Sequence, residues 1–114
     1  MHIVRDPRDV VASLKRMPFG SPEALANALT WVAHVAAARR VEHRDNYLLV
    51  KYEQLVREPE AELRHIFAFI GERYEPSMLE AREPAREMTW WWYERAQGSL
   101  QQDRVGIWRD QLDR

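Results

Sequence analysis

The chain has 114 residues, room for one domain at most, and a chain of this size buries only about two-thirds of its unfolded surface. Acidic and basic residues nearly cancel, 18 against 17, so no global field draws in nucleic acid or a membrane surface, and any anion site has to be local. The absence of cysteine excludes a disulfide framework, a thiolate nucleophile and a cysteine-based zinc site, and His2, His34, His43 and His65 show no metal-binding spacing, so no metal is expected.

Ile3 and Val4 end a short apolar run, and Asp6-Pro7 then reads as an N-cap followed by proline at the first helical position, with Asp9 three residues after the cap. The pattern predicts a strand, a tight turn and a helix over Pro7 to Lys15, ending near Pro18 and Gly20. Ser21-Pro22-Glu23 repeats the cap-plus-proline signal, and Leu25, Leu29, Val32 and Val35 form one helical stripe up to Arg39-Arg40, the longest element. Tyr47 to Val50 is a short run of strand formers suited to a parallel sheet buried on both faces. Pro59 opens another helix, with Glu60 and Glu62 in its first turn, Leu63, Ile66, Phe67 and Ile70 as its apolar stripe, and Gly71 as its stop. Beyond it, Pro76, Pro84, the run Trp90-Trp91-Trp92-Tyr93 and Gly98 punctuate short helices and loops, up to a last helical stretch around Trp108 to Leu112. Of the four consecutive aromatics, one or two are expected in the core and the others in a pocket wall. The longest apolar run, Trp31 to Ala38, is broken by His34 and falls far short of the roughly 18 residues a membrane span needs. With no signal peptide visible, a cytoplasmic location is expected.

Two strands separated by helices predict a long crossover, and therefore adjacent, parallel pairing. Two short buried-type strands do not form an independently stable sheet. Either another chain or a missing N-terminal segment is expected to complete it, and residues 1–114 then form a partial domain.

The strongest local signal is Val4-Arg5-Asp6-Pro7-Arg8-Asp9-Val10-Val11-Ala12-Ser13-Leu14, a strand running into a capped helix. A helix start aims free N–H groups and the positive end of its dipole at the strand's C-terminal edge, where ligands of open α/β sheets bind. Arg5 sits at that edge, and Ser13, about two turns into the helix, offers a further donor. Of the basic residues only Lys15 and Lys51 are lysines, and arginine suits bidentate recognition of phosphate or sulfate. The plainer alternative is a surface turn in which Arg5 pairs with Asp6 or Asp9.

This segment resembles the 3'-phosphate-binding motif of sulfotransferases that use 3'-phosphoadenosine-5'-phosphosulfate (PAPS): Arg-Asp-Pro-Arg-Asp with a serine eight residues after the first arginine. The resemblance implies that Arg5 and Ser13 hold the 3'-phosphate. Leu49-Val50-Lys51-Tyr52-Glu53-Gln54-Leu55-Val56, followed by Glu58-Pro59, is similar to the family's strand-to-helix segment and implies Tyr52 against the adenine; the alternative is a core tyrosine at a strand end. Asp103-Arg104-Val105-Gly106-Ile107-Trp108-Arg109-Asp110-Gln111-Leu112 is similar to the C-terminal motif in which a basic residue and a glycine close over the 3'-phosphate, which implies Arg104 and Gly106. Trp108 itself reads as a core anchor for the last helix rather than a ligand contact. Arg5, Ser13 and Arg104 are then expected to converge.

The family's Gly/Ser/Thr-rich phosphosulfate loop and its base lie upstream of the first motif, and the four glycines here, at 20, 71, 98 and 106, are isolated. No catalytic residue is therefore assigned. The resemblance implies an α/β protein with the C-terminal part of a P-loop-like three-layer sulfotransferase fold, mostly helical with two short parallel strands. PAPS would be the sulfuryl donor, and an unidentified hydroxyl or amine the acceptor. Another nucleotide-dependent α/β transferase, such as a small-molecule kinase, and a non-enzymatic helical interaction module are the alternatives.

Overall fold

The computed structural model describes residues 1–80, 100 and 102–112. Its sheet has two strands, β1 (His2–Val4) and β2 (Leu49–Lys51), paired in parallel with His2 opposite Leu49, Ile3 opposite Val50 and Val4 opposite Lys51. Adjacent, parallel pairing is what the crossover predicts, because helices α1 (Pro7–Leu14) and α2 (Ala24–Arg39) carry the chain from the end of one strand back to the start of the next. Beyond β2 come α3 (Tyr52–Arg57), α4 (Pro59–Ile70), a 3₁₀ turn at Pro76–Leu79, a second at Gln102–Arg104, and the short α5 (Trp108–Gln111). The expectations placed on Pro84, Trp90 to Tyr93 and Gly98 lie outside the described residues.

The helix starts follow local chemistry. The Asp6 side chain accepts the Arg8 N–H at the start of α1, where Pro7 has no N–H to satisfy. Before α2 the predicted cap is displaced: Ser21 Oγ accepts the Glu23 N–H at 3.1 Å, closing a turn ahead of the helix, and α2 begins at Ala24. Asn27 fixes that turn, donating to the Ser21 carbonyl at 2.7 Å and accepting the Ser21 N–H at 3.0 Å. These two bonds satisfy a polar side chain that is almost fully buried. Helix α4 stops at Gly71, whose φ of 78° gives the left-handed C-cap that the sequence signals.

One apolar cluster holds β2 to the helices after it: Leu48, Val50 and Ile66 are buried, with Leu55, Leu63 and Phe69 packed against them. Ile70, expected on the inner stripe of α4, is half exposed, and Phe69 takes the inward position. On the other side α1 packs on α2, with Val11 and Ala12 buried.

The largest departure from expectation is the facing of α2. Leu25, Leu29 and Val32 are 71 %, 60 % and 54 % exposed; of the expected stripe only Val35 is partly covered, and Asn27 and Trp31 share the inward face with it. The reason is that α2 is apolar on both sides, so periodicity identifies a stripe without saying which stripe the rest of the chain covers.

Candidate functional site

Arg5 follows the last residue of β1, and four neighbours fix it. Its guanidinium carbon lies 4.8 Å from the centre of the Tyr52 ring, at the start of α3. Its Nη2 donates to the Arg104 carbonyl oxygen and stands 3.9 Å from Asp9 Oδ2. Its own carbonyl accepts the Trp31 indole N–H at 3.2 Å. The turn after it is tied to the second strand–helix junction, because the Asp6 N–H donates to Glu53 Oε1 at 2.7 Å. The two junctions therefore meet at the C-terminal edge of the sheet, the edge expected to bind ligand.

Three of the five residues singled out in the sequence are in direct contact: Arg5 with Tyr52, and Arg5 with Arg104 through the latter's main chain. Gly106 adjoins this group, with φ 83° in the left-handed region, and its N–H donates to Asp9 Oδ2 at 2.8 Å. What Gly106 offers is a close main-chain approach and not a free N–H. Ser13 stands half-buried near the far end of α1, and among the described residues no hydrogen bond joins its hydroxyl to the Arg5 group.

Arg5 is 80 % covered, with 20 % of its side chain exposed, and its Nε is buried without a hydrogen-bond partner. A buried donor left unpaired costs about 1–3 kcal/mol, which marks Nε as the least satisfied atom of this side chain. Beside it, Arg8 is bound to Asp6 through Nε at 3.0 Å and Nη2 at 2.6 Å, and its guanidinium carbon stands 4.2 Å from the Trp108 ring centre. Arg109 approaches the same ring at 4.8 Å. Trp108 thus ties the C-terminal segment to α1 through the Arg8 contact and its main-chain bond to Asp9.

Sequence reasoning missed Glu53 and Trp31 as parts of this site and named Asp9 only as an ion-pair partner for Arg5, a contact the structure shows at 3.9 Å. Asp9 has the signature of an ordinary first-turn acid, and only the folded chain shows its carboxylate 1 % exposed and bonded to Gly106 and Trp108. Trp31 is embedded in the apolar run of α2, where an indole N–H gives no sign of its target. Among the described residues no three His, Asp or Glu side chains are grouped to hold a metal ion, and no helix is long and apolar enough to cross a membrane.

The Asp6–Arg8 pair makes the turn sensitive to acid. The hydrogen bond from Arg8 is the main cause that holds the Asp6 carboxyl below its ordinary value of 3.8, with desolvation opposing it. A carboxyl depressed in the folded state stabilises above its unfolded value and loses that contribution as the pH falls through the lower folded value. Asp6→Ala is expected to cost about 0.5–2 kcal/mol at neutral pH as a lost N-cap. Denaturant unfolding should show wild type and variant converging as the pH is taken below 3.8, and a gap that persists in acid would show that ionised Asp6 is not the source.

A family model described as the sulfotransferase family matches residues 1–76. The match contains the Arg5–Ser13 segment and the Tyr52 segment and ends before Arg104. The third segment is joined to the first two by the contacts of Arg5 and Asp9. Searches of the curated proteins and of the solved structures give no match.

Proposed function

The chain belongs to the sulfotransferase family, and from that membership we propose that Arg5, Tyr52 and the Arg104–Gly106 segment form the binding site for the 3'-phosphoadenosine end of PAPS. The observation that carries this reading is Arg5 itself, a mostly buried guanidinium at the sheet edge, ahead of the α1 N-terminus, whose Nε lacks a partner. An anionic oxygen would satisfy that donor, and a phosphate suits an arginine fork. Tyr52 against the guanidinium sets the proposed base contact beside the proposed phosphate contact. Ser13 remains the proposed second donor, at the far end of the same helix.

When bound, PAPS would supply an activated sulfuryl group for transfer to a hydroxyl or amine. The residues of this chain would hold and orient its nucleotide end: Arg5 neutralises the 3'-phosphate, and residues 104–106 cover it. In-line transfer also needs donors on the transferring group and a base at the acceptor, and no glycine-rich loop with a lysine occurs in this sequence. The 114-residue chain by itself is therefore expected to bind the nucleotide without turning it over, since each lost transition-state donor costs about two to three powers of ten in rate.

The proposed larger architecture, a P-loop-like three-layer α/β fold, is supported by surfaces left open on the described residues. Each strand of the two-stranded sheet has an unpaired edge, the α2 stripe of Leu25, Leu29 and Val32 faces outward, and a cleft of about 660 Å³ runs from β1 to α2 past Ile3, Leu14, Phe19 and Trp31. Calorimetry with adenosine 3',5'-bisphosphate and with ATP tests the functional reading. Binding of the bisphosphate alone is expected. A preference for ATP would favour a kinase-like transferase, and binding of neither would favour an interaction module, for which the outward face of α2 is the supporting observation.

A further inference from the structure

The carboxylate of Asp9 is 1 % exposed, and both of its oxygens are committed to main chain far along the sequence. Oδ2 accepts the Gly106 N–H at 2.8 Å, 97 residues on, and Oδ1 accepts the Trp108 N–H at 3.0 Å, 99 residues on. A carboxylate removed from water is strongly unfavourable unless charge-assisted donors surround it. Those two amides, together with Arg5 Nη2 at 3.9 Å, meet that need, so residues 106–108 cannot leave without stranding the charge.

The same segment holds Arg5 from its other side, because Nη2 donates to the Arg104 carbonyl. Gly106 makes the route possible: at φ 83° the chain turns so that the amides on both sides of Ile107 reach one carboxylate.

We propose that Asp9 is a positioning residue for the anion site, one that touches no ligand but latches residues 104–108 onto the first turn of α1 and thereby sets the direction of the Arg5 guanidinium. The assignment rests on the 3'-phosphate reading. It adds that closure of the C-terminal segment and binding of the anion are coupled, each favouring the other by the same factor.

Asp9→Asn is the informative change, because it keeps the shape of the side chain. The amide offers one acceptor oxygen and one NH₂ donor, so one of the two main-chain N–H groups would face a donor. Two measurements on the full chain, wild type and Asp9→Asn, test the proposal: hydrogen exchange at the Gly106 and Trp108 amides, and calorimetry with adenosine 3',5'-bisphosphate. Exchange at both amides is expected to rise about tenfold or more while the Val50 and Ile66 amides stay protected, and affinity to fall about tenfold. In the wild type the bisphosphate should slow exchange at Gly106 and Trp108 further, and in Asp9→Asn it should not, a response that a merely structural role would not produce.

Unchanged protection in Asp9→Asn would overturn the latch. Lost protection with unchanged affinity would overturn the positioning role and leave the nucleotide reading standing. A wild type with protected amides that does not bind the bisphosphate would overturn that reading and the role given to Asp9 with it. If Asp9→Asn does not fold, Gly106→Ala keeps the test open, since it strains the left-handed turn and leaves the carboxylate in place. The same loss of Trp108 protection and of affinity is expected from it, and retention of both would overturn the proposal.

Discussion

Arg5→Ala is expected to weaken binding of adenosine 3',5'-bisphosphate by about ten- to 150-fold. A hydrogen bond to a charged group contributes about 1.5–3 kcal/mol, and every 1.4 kcal/mol is a factor of ten in affinity. The substitution removes the unpaired Nε, the stack on Tyr52 and the grip on the Arg104 carbonyl together. Arg5→Lys should recover little of the loss, because an ammonium carries charge without the planar fork that addresses the Tyr52 face and the Arg104 oxygen at once. Calorimetry on the three proteins decides the matter. Equal affinity in all of them would remove Arg5 from the site, and full recovery by lysine would reduce its part to charge.

The second large effect concerns stability. Ile66→Ala empties the centre of the Leu48–Val50–Ile66 cluster and is expected to cost about 2–5 kcal/mol, the range for a buried isoleucine truncated to alanine. Native domains have about 5–15 kcal/mol in all, and a 114-residue chain belongs toward the lower end, so the variant should lose much of its cooperative transition. Leu29→Ala supplies the contrast. Its side chain is 60 % exposed, and the expected change is within about 0.5 kcal/mol. Urea unfolding of both variants checks the facing of α2 as well as the core. A Leu29→Ala cost as large as that of Ile66→Ala would mean that the stripe is buried after all.

The legible parts of this chain were those written in local chemistry. Asp6-Pro7 fixes the start of α1, Gly71 the end of α4, and the two strand-forming runs separated by a long crossover fix parallel pairing. Arg5 was legible for the same reason, since the residue closing a strand before a capped helix lies at the ligand edge whatever the remainder of the fold. The meeting of positions 5 and 104 was expected from the resemblance and not from spacing, and it is made through the Arg104 main chain, without Ser13; the Arg5–Tyr52 contact was not foreseen. The main-chain bonds of Asp9 were illegible because its partners there are amides, which every residue carries. The facing of α2 was illegible because Leu25, Leu29 and Val32 compete with Trp31 and Val35 for the same interior, and the tie from the Trp31 indole to the Arg5 carbonyl accompanies the second set facing inward.

The central claim is that the Arg5 guanidinium receives the 3'-phosphate of a nucleotide, and a crystal structure of the chain with adenosine 3',5'-bisphosphate tests it most directly. The account predicts the 3'-phosphate within hydrogen-bond distance of Arg5 Nε, the adenine beside Tyr52, and residues 104–108 still bonded to Asp9. A nucleotide bound elsewhere, with Arg5 Nε as unpaired as before, would contradict it.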